Sequence, residues 1–194
     1  MSSAKSEIEN EYTWEIDNHP LVVSHLLEEL TKGRAQCNII TQVYDHSVRG
    51  RSRLNLGSSE QKYFLTYKIP CPESNADFEA EIEISSAFYS RMKSITDIGL
   101  SKLRFEIEDP GSSHPWEVDV ILDAEARIHI IRVEKECAIN ETRPDQSTLP
   151  PFLKGARPVE KGSFLPNIKL SLQLRSYKLS MEQILKVTQS TQST

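Results

Sequence analysis

Like charges recur at every second position in run after run of this chain, and no other feature limits its fold as tightly. Glu7, Glu9 and Glu11 alternate, as do Arg49, Arg51 and Arg53, and Glu79, Glu81 and Glu83. Lys102, Arg104 and Glu106 form a further row, followed by Glu117 and Asp119, and by Arg132, Glu134 and Glu136. The residues between them are largely apolar: Ala80, Ile82 and Ile84; Leu103, Phe105 and Ile107; Val118 and Val120; Ile131 and Val133. Successive side chains of a strand point to opposite faces, so each run makes a strand with one apolar and one charged face.

Turn and helix signals divide these runs. Strands are expected over Lys102–Glu108, Trp116–Leu122 and Arg127–Glu136, the first closed by Asp109-Pro110-Gly111. Strand character also covers Ile39–Leu56, Lys62–Ile69 and Phe78–Ser85, with PCPESNAD as the loop before Phe78. Leu21, Val22, Leu26, Leu27 and Leu30 fall at helical spacing and predict a helix ending at Gly33. Phe88, Met92 and Ile95 suggest a second helix from Ser86, stopped by Gly99. Proline-rich residues 138–167 read as a long surface connection. Ile168–Leu174 alternates as a last strand, Ser180 with Gln183 fits a capping box, and QSTQST ends the chain as a disordered tail. Eight or so strands in hairpin order give an α+β chain: an eight-stranded antiparallel β-barrel with helices packed outside. The expected division is one barrel domain over residues 1–178, with a short helix and tail over 179–194.

The apolar faces could fill such a barrel, or they could pack outward under the helices and leave the charged rows lining the lumen. The rows favour the lumen. Two like charges about 4 Å apart repel by about 4 kcal/mol at an effective dielectric of about 20. Carboxylate rows suit a hard cation such as Mg²⁺ or Mn²⁺. Arginine and lysine rows suit a chain of phosphates. The net charge of −5 argues against a general nucleic-acid binder. No apolar run reaches the roughly 20 residues of a spanning helix, and MSSAKSEIEN lacks the apolar core of a secretory signal. Cys37, Cys71 and Cys137 lack metal-site spacing and read as reduced thiols. A cytoplasmic protein with no membrane partner is expected.

Several segments, in order, resemble the CYTH superfamily, the triphosphate tunnel metalloenzymes, which includes thiamine triphosphatases, inorganic triphosphatases and class IV adenylyl cyclases. Glu7-Ile8-Glu9 resembles the first half of its ExExK signature, Arg51-Ser52-Arg53 its RxR strand, and Leu65-Thr66-Tyr67-Lys68 its LTxK strand. Glu79-Ala80-Glu81 resembles its ExE strand and Lys102-Leu103-Arg104 its KxR pair. Trp116-Glu117-Val118-Asp119, Val133-Glu134 and the proline-rich stretch ending at Asn167 resemble its later strands and closing segment. The resemblance implies a tunnel that binds a triphosphate-containing small molecule with a divalent metal, and it leaves homodimerisation open. Carried over residue by residue, Arg51, Arg53, Lys68, Lys102 and Arg104 would hold phosphates. Glu7, Glu9, Glu79, Glu81, Asp119 and Glu134 would hold Mg²⁺ or Mn²⁺.

Two positions depart from the pattern. The lysine of ExExK falls at Glu11, and the first acid of the family's EVE strand at Arg132. A compensating exchange of charge between strands would preserve the lumen balance. Glu11 could then act as base, with a pKa raised by neighbouring acids, and Lys68 and Arg104 would complete the catalytic set. The reading is a metal-dependent triphosphatase. Beside it stand a class IV adenylyl cyclase and a triphosphate-binding protein without catalysis.

Overall fold

The computed structural model describes residues 5–17, 19–45, 48–56, 58, 60–71, 76–96, 99–122, 128–138 and 143–159, with only the backbone described for residues 5–7, 9 and 19. The strand at Ile168–Leu174, the capping box at Ser180 and the 160–194 part of the domain division lie outside these residues.

Eight strands close into an antiparallel barrel. They are β1 (Lys5–Ile16), β2 (Ala35–Asp45), β3 (Val48–Asn55), β4 (Gln61–Pro70), β5 (Ala76–Glu83), β6 (Gly99–Ile107), β7 (Trp116–Leu122) and β8 (Ile128–Cys137). Around the barrel the order is β5-β4-β3-β2-β6-β7-β8-β1, and pairing of β1 with β5 closes it. The length of β1 makes closure possible: its first half pairs with β5 and its second half with β8. A short strand, β9 (Arg157–Val159), pairs with β1 at Thr13–Glu15.

Helix α1 (His19–Thr31) and helix α2 (Ser86–Ile95) lie against the outside. Gly33 ends α1 at φ +70°, a conformation that costs other residues dearly, and its N–H bonds the Leu30 carbonyl at 3.1 Å. Val22, Val23 and Leu26 of α1 are buried with Leu103, Phe105, Val118, Val120, Ile131 and Val133. The apolar faces thus point outward under α1, as the charge rows require. Trp14 and Trp116 meet edge to face in this layer, 5.7 Å between centroids. Such a pair adds about 1 kcal/mol beyond its buried area. Lys135 is buried beside them. Its ammonium lies 4.9 Å over the Trp116 ring and bonds Asp109 Oδ2 at 2.8 Å and the His114 carbonyl, tying the β6–β7 turn to β8.

Four sequence expectations need correction. The buried stripe of α2 is Tyr89 and Met92, while Phe88 and Ile95 are exposed. Tyr89 decides this orientation, because its hydroxyl donates to the Thr41 carbonyl at 3.0 Å while its ring packs on Tyr63. The helix ends at Ile95, and Gly99 does not stop it. Gly99 opens β6, where an added Cβ would stand 2.7 Å from the Gln42 carbonyl oxygen. Asp77 is not in a loop, since β5 begins at Ala76. The proline-rich stretch is not a plain surface connection either. Leu149, Leu153 and Ala156 are buried in the layer beneath α1. Leu153 belongs to a 3-10 turn that begins at Pro151, a position where the missing N–H costs little.

Candidate active site in the barrel lumen

Directly paired residues on neighbouring strands share a face, so the register shows what lines the lumen. Lys102 opposes Ile40 and Ile121, and Arg104 opposes Asn38 and Asp119. Arg51 opposes Gln42 and Phe64, Lys68 opposes Glu79, and Glu11 opposes Glu136. Arg51, Lys102, Arg104, Asp119 and Glu134 are buried, an arrangement charged side chains adopt only when paired or bound.

Two clusters result. In the first, Arg104 reaches three carboxylates. Its Nε donates to Asp119 Oδ1 at 2.8 Å, and its Nη2 to Asp119 Oδ2 and Glu134 Oε2, both at 2.7 Å. Its Nη1 pairs with Glu117. Lys102 also donates to Asp119 Oδ2, so one carboxylate is shared between two cations. Burial raises the Asp119 pKa, but Arg104 and Lys102 more than offset this and hold it well below the usual range. Lys102 itself is pushed down to about 8, first by burial and then by Arg104, which Asp119 and Glu134 only partly counter.

The second cluster joins β3, β4, β5 and β1. Arg49 Nη2 lies 3.3 Å from Glu79 Oε1, and Arg51 Nη1 lies 3.5 Å from Glu81 Oε2. Thr66 donates to Glu81 Oε2 at 3.1 Å. Lys68 Nζ donates to Glu11 Oε2 at 2.8 Å and lies 3.5 Å from Glu79 and 3.8 Å from Asp77. Burial and the charges of Arg49 and Arg104 lower the Arg51 pKa to about 10, with Glu81 opposing. Arg53 stands further along the row, its guanidinium 5.9 Å from the Phe64 ring centroid. Among the described residues, the buried Nε–H groups of Arg49, Arg51 and Arg53 and the Gln42 amide nitrogen have no hydrogen-bond acceptor.

Glu11 departs from the expectation of a raised pKa. Burial does raise it, but the charge and hydrogen bond of Lys68, with Arg132 and Arg104, bring it down to about 2. An ionised, strongly paired carboxylate is a poor base, so that role is withdrawn. The exchange of charge between Glu11 and Arg132 is within reach in space: Arg132 is among the cations that stabilise Glu11, and its Nε lies 3.5 Å from Glu134 Oε1.

Three lumen residues escaped the sequence reading of the site, one of them Arg49, which pairs with Glu79 in the row beside Arg51. Asp77 extends the alternation of Glu79 and Glu81 by one step, a signal that the loop assignment hid. Glu117 is raised to about 7, foremost by burial and then by Glu134, Asp119 and Glu136, with Arg104 opposing. A carboxyl that changes charge near neutral pH is what proton transfer requires. A raised carboxyl pKa contributes stability below its unfolded value of about 4.3 and loses it as pH rises through the folded value. Glu117→Gln is therefore expected to leave stability nearly unchanged at pH 4 and to raise it by about 1–3 kcal/mol at pH 8. Urea unfolding at both pH values checks this; an equal effect at the two would contradict it.

A hard divalent cation at β1 and β5 would have to displace Lys68, Arg49 and Arg51, which pair with Asp77 and Glu79. Glu7 is paired in register with Glu79, and Glu9 with Asp77, so four acidic positions face one another across two strands. Asp119 and Glu134, also expected as ligands, are engaged by Arg104 and Lys102. Among the described residues with placed side chains, no three acids, histidines or cysteines gather closely enough to hold a metal. A β1–β5 site would therefore depend on Glu7 and Glu9.

The described strands thus form a closed eight-stranded antiparallel barrel with helices outside and facing acid and base rows in its lumen. No protein-family model and no curated protein matches the chain. Among solved structures it is similar to the PH1012 protein of Pyrococcus horikoshii OT3, at 14% identity and a TM-score of 0.42 over 69% of this chain and 80% of that one. A conserved protein of Pyrococcus furiosus is 19% identical, with a TM-score of 0.40 over 67% and 80%. A Bacillus halodurans protein provisionally assigned as an adenylate cyclase is 17% identical, with a TM-score of 0.42 over 69% and 82%. Among the described residues, no helix is long and apolar enough to cross a membrane.

Proposed function

We propose that the lumen binds a linear triphosphate and hydrolyses its terminal phosphate. The row of buried guanidinium donors at Arg49, Arg51 and Arg53 carries this reading. Buried donors without acceptors cost free energy, and guanidinium groups match phosphate oxygens in geometry and charge. Lys102 and Arg51 have depressed pKa values first because they are buried and then because neighbouring arginines repel them, which their own acids only partly counter. A polyanion beside them removes that imbalance.

In this mechanism Arg49, Arg51 and Arg53 grip the phosphate chain from one wall while Lys102 and Arg104 face it from β6. Water attacks the terminal phosphorus, the bridging P–O bond breaks, and orthophosphate and diphosphate leave. The cations stabilise the charge gathering on the departing oxygen. Glu7, Glu9, Asp77 and Glu79 would hold Mg²⁺ or Mn²⁺, which would supply charge neutralisation and substrate alignment.

Phosphate release from tripolyphosphate, ATP and thiamine triphosphate, with Mg²⁺ or Mn²⁺, tests the proposal. Release is expected from at least one substrate and should stop when EDTA is in excess. Cyclic AMP appearing with diphosphate would point to a cyclase instead. One observation favours a second reading, a binder without catalysis. Glu11, where the signature has lysine, is locked onto Lys68. Tight binding with no release from any substrate would establish that reading.

A further inference from the structure

The outside of the barrel is covered unevenly. Helix α1 lies over β6, β7 and β8, and α2 over β2, β3 and β4 near Val43 and Leu65. The outer faces of β4 beyond Leu65, of β5 and of the first half of β1 have neither helix above them. Ile8, Phe78 and Ile69 stand in register across these three strands, with Tyr67 beside Ala80 and Ile82 two residues further along β5. Ile8 is 49% exposed, Ile69 45%, Tyr67 42% and Ile82 40%. A contiguous apolar face of this kind marks a contact surface.

We infer that the chain's own segment Ile168–Val187 docks on this face. The course of the chain points there. β9 runs antiparallel to β1 from Glu15 to Thr13, so at Val159 its direction points toward Asn10 and Ile8, where β5 begins at Ala76. Residues 160–167 then separate Val159 from Ile168. At about 3.3 Å per residue the nine steps from Val159 to Ile168 can span about 30 Å, whereas Thr13 to Ile8 along β1 is about 17 Å.

The segment carries matching apolar faces. Ile168, Leu170, Leu172 and Leu174 alternate with Lys169, Ser171 and Gln173, while Met181, Ile184 and Leu185 share a helical stripe. A second copy of the chain could cover the same patch. A tethered segment competes at an effective concentration in the millimolar range, well above any ordinary protein concentration.

Hydroxyl-radical footprinting of the full chain, with sedimentation run in parallel, tests the inference. Tyr67, Ile69 and Phe78 should be protected in a monomer, and Leu170→Asp with Leu172→Asp should raise their oxidation several-fold. Phe88 and Ile95, exposed on α2, should not change and so report that the fold is intact. Ile69→Asp, which alters the patch and leaves the segment intact, should raise oxidation of Leu170 and Leu172. Protection that grows with protein concentration and survives the double substitution would overturn the inference in favour of self-association. Full oxidation of the patch in the unaltered chain would overturn it outright.

Discussion

Glu11→Lys is expected to destabilise the folded chain by about 3–5 kcal/mol and to lower activity, although it would complete the ExExK signature. Glu11 is the acid that Lys68 contacts at 2.8 Å, and Arg132 and Arg104 also stabilise its charge. A lysine there would leave Lys68 without its nearest counter-ion and set a second cation beside it, within the influence of Arg132 and Arg104. Removing one partner of a half-buried pair leaves the other charge behind, and reversing its sign adds repulsion, which together bring the cost into the range of a buried pair. The double change Glu11→Lys with Arg132→Glu restores the balance and should recover at least half of the lost stability. Urea midpoints of the three chains decide it; a wild-type midpoint for the single variant would refute the pairing. The same pair gives the unaltered chain an acid limit. A depressed carboxylate contributes stability above about pH 4.3 and loses it as pH falls toward 2.

Lys102→Met should move stability and binding in opposite directions. The ammonium is buried and its pKa is depressed to about 8, so the folded chain holds this proton less tightly than the unfolded chain does. Between about pH 8 and 10.4 the unfolded state binds more protons, and stability rises with pH through that window. Below it the folded chain bears the full penalty. Methionine removes the penalty at similar volume, so a gain of about 1–3 kcal/mol is expected at pH 7, fading near pH 10.5. Tripolyphosphate affinity should meanwhile fall by about tenfold to a hundredfold, the worth of one charged hydrogen bond. Thermal unfolding and calorimetry measure the two effects. A loss of both would mean that Lys102 holds the fold, and an unchanged affinity would mean that it holds no ligand.

Side-chain period made the barrel legible before any coordinates. Arg49, Arg51 and Arg53 could share only one face, and the apolar residues between the charged rows could be buried only outside, once the rows turned inward. The face of α2 was not legible. Phe88 with Ile95 and Tyr89 with Met92 are both acceptable helical spacings, and the choice rests on a hydrogen bond to Thr41 from a distant strand. Asp77 was hidden because prolines and asparagine just before it look like a loop, although its parity matches Glu79 and Glu81. The state of Glu11 could not be read at all. Sequence places three acids beside one another, whereas the fold brings Lys68 from three strands later in the chain to within hydrogen-bond reach.

The lumen's capacity for a phosphate chain is tested most directly by calorimetric titration of the full chain with tripolyphosphate, beside Arg51→Ala and Arg53→Ala variants of unchanged fold. Saturable binding at one molecule per barrel is expected, weakened by about tenfold to a hundredfold in each variant. Absence of binding, or equal affinity in all three chains, would show that the facing rows of acid and base hold only each other.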